Sequence, residues 1–233
     1  LLYSTKHNIF RLTYKVERDI IALRGDTMDF FNYLSDTFGV NEPIFSADIE
    51  FEDYSKPWIA KQLAALCEDG RLVRFERGIY YIPVITPFGK SILNPNKVIE
   101  RKYIMDKGIA NGFYSGMTAL NKFGLTTQIP NTIEICTNNE TTKLRNIKVS
   151  NQNVTLRRSR VKITNENQNV IQFLELMNTV PTGFFDSERK SILKKLISDN
   201  KITRESILEY IPSFPDKALR NLVESEAIFY VAQ

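Results

Sequence analysis

Ser55-Lys-Pro-Trp-Ile59-Ala-Lys-Gln-Leu63-Ala-Ala-Leu66-Cys67-Glu-Asp-Gly70-Arg71-Leu-Val-Arg74-Phe-Glu-Arg77-Gly78-Ile-Tyr-Tyr-Ile-Pro83 decides how the N-terminal part of this chain is read. Ser55 stands where a helix is capped, Pro57 falls in the first turn, and Gly70 supplies the stop. Ile59, Leu63, Leu66 and Cys67 recur at helical spacing and form the buried stripe. Immediately afterwards the residues read as two strands around a turn near Glu76 to Gly78. Upstream, Asp26 to Gly39 predicts another helix, with Phe31, Leu34 and Phe38 on one face, Asp26 or Thr27 as cap and Gly39 as stop. A short helix is expected around Ser46 to Asp53. Helix, short helix, capped helix and basic hairpin make up the order of a winged helix-turn-helix module, whose second helix can enter a major groove.

Within that frame the groove candidates lie opposite the apolar stripe. Pro57, Trp58, Lys61, Ala64 and Ala65 share that side, so Lys61 and Trp58 are expected to make groove contacts, with Lys56 at the helix start and Gln62 on the flank, able to read adenine. Arg71, Arg74 and Arg77 are expected to reach phosphates from the hairpin, which positions a protein on DNA without reading sequence. Modules of this shape also dock on proteins, and both uses remain open at this level.

Downstream, Pro83 to Pro95 holds three prolines and a glycine and reads as a linker. Asn96 to Gly108 predicts an amphipathic helix built on Val98, Ile99, Tyr103 and Ile104 and stopped by Gly108. A helix over Gly116 to Phe123 follows, then strand-like segments at Thr132–Thr137, Asn146–Val149 and Val154–Ile163, the last with its alternation slipping at Ser159 in the manner of a bulge. Helices are expected over 165–177, 186–198, 203–210 and 215–224. The predicted fold class is α+β, with an N-terminal winged helix-turn-helix domain over 1–83, a mixed α/β domain over 84–180 and a helical C-terminal region over 181–233.

Charge is unevenly spread. Residues 1–83 hold 10 Lys and Arg against 13 Asp and Glu, residues 84–163 hold 13 against 4, and residues 164–233 hold 8 against 10. An acidic partner is therefore to be sought at the middle third as well as at the N-terminal domain. Lys143, Arg145, Lys148, Arg157, Arg158, Arg160 and Lys162 make its strands the densest basic surface, read either as a solvated face or as a surface for a partner. No glycine loop of the phosphate-cradling kinds occurs and no paired carboxylates stand at useful spacing, so no enzyme site and no cofactor are expected. The single His7 offers little as a base, and Cys67 and Cys136, lacking close spacing, read as buried free thiols. No run approaches the roughly 20 apolar residues of a membrane span, and the first residues do not resemble a signal peptide, so a cytoplasmic protein is expected.

One further stretch bears on function. Ser115-Gly116, Ala119-Leu120-Asn121, Gly124-Leu-Thr-Thr-Gln-Ile-Pro130 and Thr137-Asn138 together resemble the central segment of the AbiE-type (AbiEi-like) antitoxins, and the resemblance extends over roughly residues 45–178. It implies a bacterial or phage-defence regulator. Its winged helix would bind inverted repeats in operator DNA and repress its own operon, and its second domain would counter a nucleotidyltransferase-like toxin, with or without a stable complex. Arg71, Arg74 and Arg77 match the wing positions. Ser115, Gly116, Gly124, Thr127, Gln128 and Pro130 match shared positions of the antitoxin domain, where their chemistry is that of turns and strand entry. The alternative is a nucleic-acid-binding enzyme or enzyme subunit that uses the basic sheet of residues 143–162.

Overall fold

The computed structural model describes residues 29–51 and 54–231, which leaves His7 and the expected caps Asp26 and Thr27 outside the described residues. The described chain is α+β and divides into two compact units, with the boundary between Lys97 and Val98.

In the first unit, helix α1, described over 29–38, ends where Gly39 takes φ +81° and returns its N–H to Ser35 O at 2.9 Å. After strand β1 (Ile44–Phe45), a single 3-10 turn (Ser46–Asp48) stands where a short helix was expected around Ser46 to Asp53, whose last two residues lie outside the described residues. The reason is a period of two: Ile49 and Phe51 are buried and Glu50 between them is exposed, which suits an extended path and no helix. Helix α2 (Lys56–Glu68) has Ser55 at its N-cap position, but the Ser55 hydroxyl makes no capping bond. At its other end Gly70, at φ +72°, lets the Arg71 and Leu72 N–H groups return to Leu66 O at 3.1 and 3.0 Å. Strands β2 (Val73–Glu76) and β3 (Ile79–Tyr81) form an antiparallel hairpin over the two-residue turn Arg77-Gly78, and β1 adds to β3 to give the order β1-β3-β2. Phe30, Leu34, Ile44, Leu63 and Leu66 fill the core between helices and sheet.

The expected linker is folded. Strands β4 (Ile85–Thr86) and β5 (Gly89–Lys90) form a short hairpin tied to the first unit by Lys90 Nζ donating to Gly70 O (2.6 Å) and the Tyr81 hydroxyl donating to Ser91 O (3.0 Å). Helix α3 (Pro95–Tyr103) then carries the unit boundary and stops short of Gly108. Lys107 and Gly108, at φ +47° and +81°, instead turn the hairpin β6 (Met105–Asp106) to β7 (Ile109–Ala110), because two consecutive positive φ values are what a tight hairpin turn requires.

The second unit is built on a sheet of order β10-β11-β9-β8, formed by β8 (Gly112–Tyr114), β9 (Thr132–Thr137), β10 (Leu144–Val149) and β11 (Gln152–Arg158). β11 inserts between β9 and β10, antiparallel to β10 and parallel to β9. The slip at Ser159 marks the end of β11 and not a bulge: the strand closes at Arg158, and Ser159 N–H donates to Thr137 O at 3.3 Å. Between β8 and β9 runs α4 (Gly116–Lys122), whose N-cap residue Ser115 makes no side-chain cap bond. Glu134 on β9 supplies it instead, its carboxylate accepting from Met117 N–H at 3.1 Å. Gly116 takes φ +55°, and a Cβ there would lie 2.3 Å from that carboxylate and displace it from the cap, so the position favours glycine.

Helices α5 (Gln168–Thr179), α6 (Ser187–Asp199), α7 (Arg204–Tyr210), α8 (Asp216–Glu224) and α9 (Ala227–Tyr230) complete the unit, with a 3-10 turn at Ile211–Ser213. They do not stand apart from the sheet. Phe113, Cys136, Phe173, Leu193 and Leu222 belong to one continuous core. Buried Asn221 on α8 donates to Met177 O (2.8 Å) and Val180 O (3.0 Å), satisfying carbonyls at the end of α5 that have no partner in their own helix.

Candidate functional site

Two groups of basic residues emerge, one in each unit. On α2 the exposed stripe consists of Lys56, Pro57, Ala60, Lys61, Ala64 and Glu68. Two expectations for this helix are corrected. Trp58 is half-buried, its ring stacked on Tyr54 at 3.9 Å and set edge-on to Phe30 at 5.5 Å, because the aromatic side chains of α1 and the segment before α2 offer it more contact than water does. Gln62 is 2% exposed, so its amide cannot reach a base edge. Ala65 is also half-buried, and Ala60 takes its place on the open side.

The hairpin arginines differ among themselves. Arg71 is half-buried, pairs with Asp69 at 3.3 Å and lies over the Phe31 ring at 5.1 Å, which makes it part of the fold. Arg74 is exposed and folds back by a bond from Nε to Glu76 O at 3.3 Å, and Arg77 is exposed at the turn itself. Lys56, Lys61, Arg74 and Arg77 are thus the expected DNA contacts that present charge to solvent.

In the second unit, Lys143, Arg157, Arg158 and Arg160 converge on a cleft of about 490 Å³ at the C-terminal ends of the parallel strands β9 and β11. Cys136 of β9, Ser159, Glu175 of α5 and Ser213 of the 3-10 turn complete its lining. Two of the arginines are tethered. Arg157 pairs diagonally across the sheet with Glu134, the residue that caps α4, at 3.3 Å, and Arg160 pairs with Glu175 at 3.6 Å. Glu175 is mostly enclosed, and burial pushes its carboxyl above the usual carboxylate range against the pull of Arg160. Burial, with Glu175 adding to it, pushes the Cys136 thiol up to about 12. Lys143 and Arg158 flank the Leu144–Arg157 cross-strand pair on the same side, and both are exposed.

The other basic residues of this region point to different places. Arg145 binds the enclosed carboxylate of Glu140 at 2.8 Å, on which Thr141 N–H, Thr142 N–H and the Thr142 hydroxyl also converge. Lys148, opposite Asn153, sits toward the other end of β10, and Lys162 is exposed beyond β11; neither lines the cleft. Sequence reading missed Glu134, Glu175 and Ser213. Glu175 did leave a signal, a carboxylate set between Leu174 and Leu176 in the apolar run of α5, where burial has to be compensated by a cation. Ser213 left none. Among the described residues no three His, Cys, Asp or Glu side chains are grouped to hold a metal ion, and no helix is long and apolar enough to cross a membrane.

Residues 44–205 match the model of DUF6088, a family of unknown function, and the chain belongs to that family. No curated protein matches it.

Proposed function

We propose that this family member is an antitoxin that doubles as a DNA-binding autorepressor. The first unit works as a winged helix with α2 in the major groove of operator DNA carrying inverted repeats, and the second counters a nucleotidyltransferase-like toxin through its basic surface. The protein acts in the cytoplasm without a cofactor. The observation that carries the reading is the open side of α2: two lysines, Lys56 and Lys61, alternate with Ala60 and Ala64. Small side chains let a helix backbone sink into a groove, and flanking cations reach the phosphates on its edges. The order α1, β1, α2, β2, β3 with sheet order β1-β3-β2, and Arg74 and Arg77 exposed on the hairpin, supports the same reading. So does the resemblance over residues 45–178.

The test is a gel shift of the full chain on the DNA upstream of its own gene, run beside growth of cells that express the cognate toxin. Lys61→Ala with Arg77→Ala is expected to abolish the shift and leave rescue intact. Reversal of Arg157, Arg158 and Arg160 to Glu is expected to do the opposite. A chain that binds neither its upstream DNA nor unrelated duplex at low salt removes the DNA reading, and rescue by the folded triple reversal removes the assignment of the toxin-countering surface.

A further inference from the structure

The cleft of the second unit has features that an open protein surface does not need. Four cationic side chains face one space of about 490 Å³, and the single carboxylate lining it, Glu175, is one whose ionisation burial opposes. Lys143 and Arg158 are the critical pair. Lys143 precedes β10 and Arg158 ends β11, each next to the terminal Leu144–Arg157 pair, and among the described residues neither makes an ion pair or a hydrogen bond through its side chain. Like charges lining one cleft repel, and an anion between them reverses the sign of that interaction. Arg157 pairs with Glu134, and Arg160 with Glu175 inside the cleft, which restrains their guanidinium groups while leaving further N–H donors for a ligand.

The shape narrows the ligand. A volume of this size accommodates a small molecule and is in the usual range for one. A bound single strand needs a continuous cationic track with aromatic platforms on which bases stack. Here no aromatic side chain lines the cleft, Arg145 is committed to Glu140, and Lys148 and Lys162 lie outside it. What the walls recognise is compact negative charge, with no surface to read a base.

We propose that this cleft binds the polyphosphate group of a small molecule, such as the phosphate chain of a nucleoside triphosphate, with Arg158 and Lys143 gripping the phosphoryl oxygens and Arg157 and Arg160 as pre-positioned donors. The inference uses no residue of the first unit and does not depend on the toxin-countering role of the second.

The experiment is calorimetric titration of the full chain with tripolyphosphate, ATP, GTP and a single-stranded 12-nucleotide DNA, at one fixed salt concentration and without added metal. Tripolyphosphate, ATP and GTP are expected to bind at one site with affinities within about threefold of each other, since charge-assisted bonds to phosphate supply the affinity. Arg158→Ala and Lys143→Ala are each expected to weaken that binding about tenfold, the loss of one charge-assisted contact. Both side chains are exposed, so the variants retain the fold, which a thermal melt checks. Lys195→Ala, an exposed lysine on α6 away from the cleft, is expected to change affinity less than twofold. Absence of binding by all three polyphosphates overturns the proposal. So does equal weakening by Lys195→Ala, which indicates a diffuse charge effect, and so does binding of the 12-mer that tripolyphosphate fails to displace, which indicates a strand-binding surface.

Discussion

The two units carry basic residues in opposite arrangements. On α2 and the β2–β3 hairpin the exposed cations Lys56, Lys61, Arg74 and Arg77 stand along a helix face and at a turn, and among the described residues they have no carboxylate tether. At the ends of β9 and β11 the cations line one cleft, and two of the four are anchored by Glu134 and Glu175. An untethered, outward stripe suits a large polyanion whose charge is spread over many phosphates. A cluster around one cleft suits a compact one, and for its two tethered arginines part of the ordering cost has already been met in the fold.

Substitutions sharpen this contrast, and the largest expected effects are on stability. Trp58→Ala removes a ring packed on Phe30, Phe51 and Tyr54 and is expected to cost about 2–4 kcal/mol, below the range for a fully buried aromatic because Trp58 is only half-buried. Lys61→Ala on the same helix is expected to cost less than about 0.5 kcal/mol. Urea unfolding of the two variants measures the difference, and equal losses would mean that Trp58 is as free as Lys61. In the second unit, Gly116→Ala forces a Cβ to within 2.3 Å of the Glu134 carboxylate at φ +55° and is expected to cost about 2–3 kcal/mol. Glu134→Ala loses the cap on α4 and the tether on Arg157 and is expected to cost about 1 kcal/mol. If Gly116→Ala proves the milder of the two, the close approach at the start of α4 is not what requires glycine there.

A smaller effect is expected on DNA. Each of Arg74→Ala and Arg77→Ala should reduce the slope of log affinity against log salt by about 0.9, the value for one lost phosphate contact, without altering sequence preference. Arg71→Ala should leave the slope unchanged and lower stability instead, since its guanidinium is engaged with Asp69 and Phe31. A drop in slope for Arg71→Ala would move it back among the phosphate contacts.

Acid probes the second unit differently. The Thr142 N–H first, and then the Thr142 hydroxyl, hold the Glu140 carboxyl below the usual carboxylate range, with Arg145 adding to the effect. Because the folded value is depressed, the stabilisation is complete above the ordinary glutamate value of ~4.3 and is lost as pH falls through the lower folded value. Urea midpoints of wild type and Glu140→Gln are therefore expected to differ most above pH ~5 and to converge in acid. A gap that widens on acidification would contradict the sign of the shift. The mildest probe is thiol labelling at neutral pH: half-buried Cys67 is expected to react ahead of Cys136, whose thiol is buried and shifted up to about 12. Faster labelling of Cys136 would mean that its thiol is reachable from the cleft it lines.

Much of the local structure is written in nearest-neighbour chemistry. Pro57, the apolar spacing from Ile59 to Leu66 and Gly70 suffice to mark α2, and the alternation of Thr132 to Thr137 marks β9 to the residue. These signals depend on residues within a turn or two of one another, so the sequence alone carries them. The alternation of Ile49 and Phe51 about Glu50 is equally present, but three residues are too few to separate an extended path from a helical turn.

The sites depended on residues distant in the chain. That Trp58 and Gln62 are withdrawn from the open side of α2 follows from aromatic side chains on α1 and before α2, which a helical wheel drawn for α2 alone does not contain. Likewise, the seven basic residues between 143 and 162 look like one surface in sequence, and only the insertion of β11 between β9 and β10 sorts them. It brings Arg157 against Glu134 and Arg158 beside Lys143, while α5 contributes Glu175 to hold Arg160. Residue types and their periodicity fixed which segments become helices and strands, since those choices are local in energy. Which charges are neutralised, which are tethered and which are left facing a cleft was decided by strand order and helix packing, since electrostatic pairing acts over a few ångströms in space regardless of separation along the chain.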